Sequence, residues 1–305
     1  MSDAKKGPAG PPAERLHKFL ASAGAGSRRE CETFIQQGRV SVNGKTVTKM
    51  GVKVTLGEDV VRFDGEVMSP ERKVYYLLNK PSGYICTNSD EQGRPRAMDL
   101  VPNQHQRIYT VGRLDADSRG LILLTNDGTI ANIICHPRYR VEKCYHVVVR
   151  GRVGRREMTK LESGVWLAEG KSSPASVKQL AYDPKRGDTL LEMTLFEGRN
   201  REIRRVFAKV GMKVRRLMRT RIGPLQLGKL AAGQSEALSP ADLRFVHEAE
   251  RLYEANKEMW DAELPSGGHR RPRGGGGPRP GGQRHGGRSQ GKGRPQRGGR
   301  GPQKS

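Results

Sequence analysis

Negative charge is what this sequence has least of. Its 305 residues include 32 Asp and Glu against 56 Lys and Arg, a formal charge of +24. Such an excess draws polyanions, so nucleic acid or an anionic membrane is the expected partner. Long apolar runs are also missing. Nothing approaches the roughly 18 consecutive apolar residues that span a bilayer, so the membrane is the weaker choice. The opening MSDAKKGPAGPPAE lacks the apolar core of a signal peptide, and a cytoplasmic protein is expected. Cysteine is rare. Cys31, Cys86, Cys135 and Cys144 form no CxxC pair and no metal-ligand spacing, which predicts reduced thiols and no structural zinc. Neither a P-loop nor GxGxxG is present, so no nucleotide cofactor is expected.

What is present divides into four parts. Residues 1–13 are rich in Pro, Gly, Ala and Lys and are expected to be disordered. From Glu14 a small module begins. Leu16, Phe19 and Leu20 share one face of a short helix, which Gly24 and Gly26 end. Ser27 and Glu30 have the capping-box spacing, opening a second helix that turns Cys31, Phe34 and Ile35 inward. Val40 and Val42 alternate before Asn43-Gly44, a strong hairpin signal. Lys18, Arg28, Arg29, Arg39 and Lys45 are candidates for one basic surface on this module. Residues 66–73 read as a linker. From Ser266 the chain is low in complexity, with 15 Gly, 11 Lys or Arg and no acid in 40 residues, so residues 261–305 are expected to form a disordered basic tail.

The segment RLHKFLASAGAGSRRECETFIQQGRVSVNGKTV resembles an S4 RNA-binding domain. The likeness extends to about Val74 and implies an α/β RNA-binding module over residues 14–73.

Between the linker and the tail, the chain is organised around VGRLDADSRGLILLTNDG at 111–128. The apolar run Leu121-Ile122-Leu123-Leu124 reads as a buried strand, with Thr125 or Asn126 capping a helix that starts near Gly128. Asp115 lies in the polar loop before it. That aspartate either makes an ordinary turn hydrogen bond or is a carboxylate held rigidly at the edge of a cleft. Val74–Asn79, Lys143–Val149 and Leu191–Phe196 read as strands, 87–107 as a surface loop, and 150–190 as mixed. In EGRNREIRRVFAKVG at 197–211, Ile203, Val206, Phe207 and Val210 make the stripe of an amphipathic helix, capped by Asn200. Arg201, Arg205 and Lys209 fall on its solvent stripe, whereas Arg204 lies at the border of the apolar face, from which it can reach a cleft. A strand 213–219 follows, then a last helix opened by Ser239-Pro240 and running to about Trp260. His136 and His146 sit at a helix end and on a strand, with no paired base, and are set aside as acid–base groups.

KPSG at 80–83, GRLDADSRGLILLTNDG at 112–128, HPRYRVEKCYHV at 136–147 and EGRNREIRRVFAKVG at 197–211 occur in the order seen in RsuA/RluB-type pseudouridine synthases. The resemblance implies an α+β protein: an S4 module before a larger, mainly antiparallel-sheet catalytic domain over 74–260. It implies an isomerase that converts uridine to pseudouridine in ribosomal RNA, that of the large subunit or an assembly intermediate, as a monomer and with no cofactor or metal; the alternatives are a small-subunit target and a non-catalytic S4-type RNA-binding or ribosome-assembly protein. Asp115 takes the place of the catalytic nucleophile, Tyr145 that of the tyrosine in the K-x-Y motif, and Arg204 that of the basic helix residue. RNA contacts are expected at Arg113, Lys80, Arg201 and Arg205 and across the S4 cations. Ser118 stands where the family usually has Thr, and Glu202 where it often has Gln. A carboxylate that must stay ionised in a dry pocket beside a flipped base needs a guanidinium nearby, since burial alone raises its pKa.

Overall fold

The computed structural model describes residues 13–102, 105–172 and 176–262. The two segments expected to be disordered, 1–13 and 261–305, fall outside it apart from Ala13, Asp261 and Ala262.

The first module is built from local signals. Helix Leu16–Ser22 buries Leu16, Phe19 and Leu20. Helix Arg28–Gln36 opens with the expected capping box: Glu30 N–H donates to Ser27 Oγ at 3.2 Å, and Ser27 N–H donates to the Glu30 carboxylate at 2.6 Å. Strands Val40–Val42 and Lys45–Thr46 meet through Asn43-Gly44, whose φ values of 50° and 78° match the twist of a two-residue hairpin turn. Val61–Phe63 and Glu66–Val67 extend that sheet, and both helices close over Cys31, Ile35, Val40, Val54 and Val61.

The linker is pinned at both ends. Glu71 N–H donates to Ser22 O at 2.9 Å on the small module. Lys73 Nζ lies 3.0 Å from Asp127 and 2.6 Å from Glu250 on the large one. Tyr75 donates its hydroxyl to the same Asp127 carboxylate at 2.8 Å. Burial opposes ionisation of Asp127, but the Lys73 and Tyr75 hydrogen bonds outweigh it and hold the carboxyl below its ordinary pKa.

The large module is a mainly antiparallel sheet. Its path runs Ser176–Asp183, Asp188–Leu195, Lys143–Arg150, Val214–Ile222, Arg119–Thr125, Tyr75–Lys80, Ser235–Ala237. One pair in it is parallel, Arg119–Thr125 against Val214–Ile222. Gly120 sits at that contact with φ 101°, and a Cβ there would collide with the Arg219 backbone. The LILL run is apolar throughout because the strand is covered on both faces: Ile122 and Leu124 pack toward Ile203, Val206 and Phe207, while Leu121 and Leu123 pack toward Ile130, Ile133, Ile134 and Val246.

Three local expectations are corrected. Helix Gly128–Cys135 is capped by Asp127, whose Oδ1 accepts the amides of Thr129 and Ile130 at 2.9 and 3.4 Å. Thr125 and Asn126 are engaged elsewhere, both bonded to the Val74 backbone. The later helix spans Glu202–Lys209 and is entered through Arg201 at φ 45°, with no cap from Asn200. The segment 87–107 is not wholly loop, since Ala97–Leu100 forms a 3-10 turn with Ala97 buried. The mixed region 150–190 resolves into helix Arg155–Ser163, a short hairpin and strand Ser176–Asp183. That strand ends the sheet path, exposed along most of its length with only Val177 buried, so its sequence carries little alternation.

Candidate active site

Asp115 sits in the tight loop between Tyr109–Thr110 and Arg119–Thr125, and its backbone is fixed from both directions. Val111 N–H donates to Leu123 O at 2.7 Å, Gly83 N–H to Ala116 O at 2.7 Å and Ser118 N–H to Asp115 O at 3.0 Å. Leu114 N–H reaches Cys86 Sγ at 3.4 Å. The KPSG turn thus supports the loop that carries Asp115.

Lys80 is expected on RNA, and the structure corrects this. Its side chain is fully buried, and Nζ donates to Pro81 O at 2.9 Å and Ala116 O at 3.5 Å. Burial pushes the Lys80 ammonium below its ordinary pKa, although Cys86, Asp117 and Asp115 act in the other direction. Lys80 therefore props the Asp115 loop from beneath and has no path to a phosphate.

Two arginines face the carboxylate. Arg201 Nη1 lies 3.3 Å from Asp115 Oδ2 and 3.7 Å from Asp117. Arg204 Nε lies 4.0 Å from Asp115 Oδ2, with Nη2 3.1 Å from Asp117. The expected partner Arg204 is present, but Arg201, read as a solvent-stripe residue, is closer. The left-handed turn at Arg201 is what swings it back across the cleft. The two differ in setting: the Arg204 side chain is 13% exposed and that of Arg201 46%. The weaker screening around Arg204 gives it the larger electrostatic weight.

Tyr145 is buried, on the strand Lys143–Arg150, and lines the same cleft as Asp115. The cleft has a volume of about 320 Å³, at the small end of ligand sites and suited to one base with its sugar. Arg113 is exposed at its rim. Ser118 is buried beside Asp115, its hydroxyl without a hydrogen-bond partner among the described residues.

Sequence reading missed Asp117 and a cluster in the loop 197–202. The Asp-x-Asp spacing at 115–117 was the available signal for the first. In the second, Arg199 Nε donates to Glu197 at 3.1 Å while its amide donates to Glu202 Oε2 at 3.0 Å.

The basic residues separate into three groups. Lys18, Arg28 and Arg29 line a second cleft, about 710 Å³, between the small module and the sheet domain. Its far wall brings Arg107, Tyr109, Asn126 and Asn132. Arg39 is not part of it: its guanidinium lies over Phe34 and Phe63, 4.6 and 4.8 Å from their centroids, and pairs with Asp64. Lys45 is exposed on the hairpin. Arg205, expected on RNA, is instead taken up by both oxygens of Glu169.

Comparison with known proteins identifies the family. The family model described as RNA pseudouridylate synthase matches residues 74–209, and the S4 domain model matches residues 14–61. The chain is 44% identical over 239 residues to the ribosomal large subunit pseudouridine synthase B of Bacillus subtilis (strain 168), covering 78% of this chain and 95% of that one. It is 43% identical over 224 residues to the protein of the same name from Yersinia pestis, covering 71% and 69%. A crystal structure of a pseudouridylate synthase superposes with TM-score 0.55 at 30% identity, covering 78% of this chain and 99% of that one.

Proposed function

The chain belongs to the RNA pseudouridine synthases, and from that premise we propose that Asp115 is the nucleophile with which it isomerises a uridine of large-subunit ribosomal RNA. One observation carries the reading. A carboxylate on a rigid loop faces a base-sized cleft, with two guanidinium groups within 4.0 Å and a buried tyrosine lining the same cleft.

The chemistry is an internal exchange. The bond between ribose C1′ and base N1 breaks, the uracil turns, and C5 bonds to C1′. A proton leaves C5 and N1 gains one, so atoms and electrons balance with no co-reactant. A carboxylate that attacks carbon, at C1′ or on the base, holds the fragment during the turn and leaves when the new bond forms. Arg204 and Arg201 lie beside that carboxylate and balance its charge as the pocket dries. Tyr145 stacks on the base or takes the C5 proton. The cleft admits a base only after it has left its helix, so the uridine flips out.

The second cleft supports the RNA partner. Four cations, a tyrosine and asparagines fit phosphates and an unstacked base of the flanking strand. The large-subunit assignment rests on the names of the Bacillus and Yersinia relatives. A ribosomal RNA substrate supports a cytoplasmic site of action.

The test is a pseudouridine map of both ribosomal RNAs in a deletion strain. One large-subunit pseudouridine is lost, restored by the wild-type chain and not by Asp115→Asn. A missing small-subunit site overturns the target, and restoration by Asp115→Asn overturns the nucleophile.

A further inference from the structure

Glu202 is the most unusual acid in the molecule. It is 3% exposed in a protein that holds few acids, and it lines the catalytic cleft. One of its oxygens, Oε2, accepts the Arg199 amide at 3.0 Å. The other, Oε1, is buried without a donor among the described residues. An ionised carboxylate left so is costly, because a buried charge needs its hydrogen bonds satisfied. Its neighbour is a second carboxyl, Glu197: both close on Arg199, Glu197 on the guanidinium and Glu202 on the amide, and Glu197 is near enough to push the Glu202 carboxyl up. Two carboxyls this close hold one proton between them, because both cannot ionise side by side.

The pair grips one residue. Glu197 takes the Arg199 guanidinium at 3.1 Å and Glu202 takes the Arg199 amide, while Glu202 N–H returns to Arg199 O at 3.2 Å. Arg199 also reaches Gly170 O at 3.5 Å. Two residues on, the chain enters the left-handed turn at Arg201 that brings a guanidinium to Asp115, and Arg204 follows on the same helix.

We propose that Glu202 works as a protonated acid, donating a hydrogen bond to the Glu197 carboxylate, and that this shared proton fixes the loop that sets Arg201 and Arg204 against Asp115. Glu202 is thus a positioning residue. It supplies, as an acid, the donor that a glutamine amide would supply at the same place. Burial, first, and then the Glu197 carboxylate push its pKa up to about 7. The other charges around it are accounted for. Arg199 is shared by the pair, Arg205 on its own helix is held by Glu169 from the adjoining hairpin, and Arg113, Asp115 and Arg201 line the same cleft. The consequence is a loss of function on the alkaline side. Below about 7 the proton is present and the loop is set. Above it the protonated fraction falls about tenfold per pH unit.

The proposal rests on the loop serving the synthase cleft, and its test has an arm that needs no catalysis. Single-turnover tritium release is followed from total ribosomal RNA of the deletion strain, labelled at uridine C5, from about pH 5.5 to about pH 8.5. The wild-type rate falls above about pH 7, approaching tenfold per unit, whereas Glu202→Gln holds its low-pH rate throughout because the amide donates to Glu197 at every pH. Glu197→Gln flattens the profile as well, with the amide donating to an ionised Glu202. Infrared spectra of the free full-length protein show a protonated-carboxyl stretch at about pH 6 that Glu202→Gln removes. An unchanged falling limb in Glu202→Gln, or a spectrum with no such band to remove, overturns the proposal. If Asp115 were not the nucleophile, the infrared band would be unaffected, so the two failures are distinct.

Discussion

The two clefts of this protein use arginine in opposite ways. In the catalytic cleft the guanidinium groups are matched to carboxylates: Arg201 and Arg204 to Asp115 and Asp117, Arg199 to Glu197. In the cleft beside the S4 module, Lys18 pairs with Glu14, but neither Arg29 nor Arg107 forms an ion pair with a carboxylate among the described residues, and the other polar side chains are mostly amides and hydroxyls. Matched charges hold a geometry, and cations without acid partners attract phosphate. On the proposed function, one cleft carries the chemistry and the other the grip. It also explains why a net charge of +24 says so little about the catalytic site, where the charges nearly cancel locally.

The sharpest break in that contrast comes from Arg204. Because its side chain is only 13% exposed, Arg204→Ala is expected to slow single-turnover isomerisation by about 10²–10³, the size of removing one preorganised electrostatic group. The 46% exposed Arg201 is expected to cost about fivefold or less when changed to Ala, the scale of an exposed ion pair. The reverse order, read from the same rates at saturating RNA, would place the catalytic weight on the nearer guanidinium instead.

A smaller effect, and of another kind, is expected in the second cleft. Changing Arg29 and Arg107 to Ala weakens RNA binding and lowers the log–log salt slope by about 0.7–0.9 for each phosphate no longer neutralised. Filter binding across a salt series measures this, and an unchanged slope removes the cleft from RNA recognition. The smallest effect is expected from deleting residues 266–305, which carry 11 Lys or Arg and no acid. Binding weakens and the slope shrinks, with the modified uridine unchanged, because cations that touch only phosphate read no sequence. A moved site of modification would show that the tail selects the target.

The S4 module was legible because its signals are local. The Ser27–Glu30 box, the Asn43-Gly44 turn and the Leu16, Phe19, Leu20 face each lie within a few residues of sequence. The LILL strand was legible for a similar reason, since burial on both faces leaves an unbroken apolar run. Asp115, Tyr145 and Arg204 were placed through ordered motifs; the fold brings Asp115 and Tyr145 to one cleft and Arg204 to within 4.0 Å of Asp115. What escaped depends on the path of the chain between distant segments. Arg201 reads as a solvent residue unless the left-handed turn before the helix is known. Lys80 looks like a surface cation until the Asp115 loop folds over it. Glu197 and Glu202 read as ordinary acids five residues apart, and only the folded loop closes both carboxyls on Arg199. The second cleft joins residues 18–29 to residues 107–132, a meeting no local pattern encodes.

The division of labour is tested most directly by measuring RNA affinity and single-turnover rate together for Asp115→Asn and for the Arg29→Ala, Arg107→Ala double variant. Asp115→Asn is predicted to bind RNA within about tenfold of wild type and to form no pseudouridine, since the amide keeps the shape of the carboxylate without its nucleophilicity. The double variant is predicted to bind more weakly and to reach the wild-type rate once RNA is saturating. Measurable turnover by Asp115→Asn, or a double variant whose rate stays low at saturation, would contradict it.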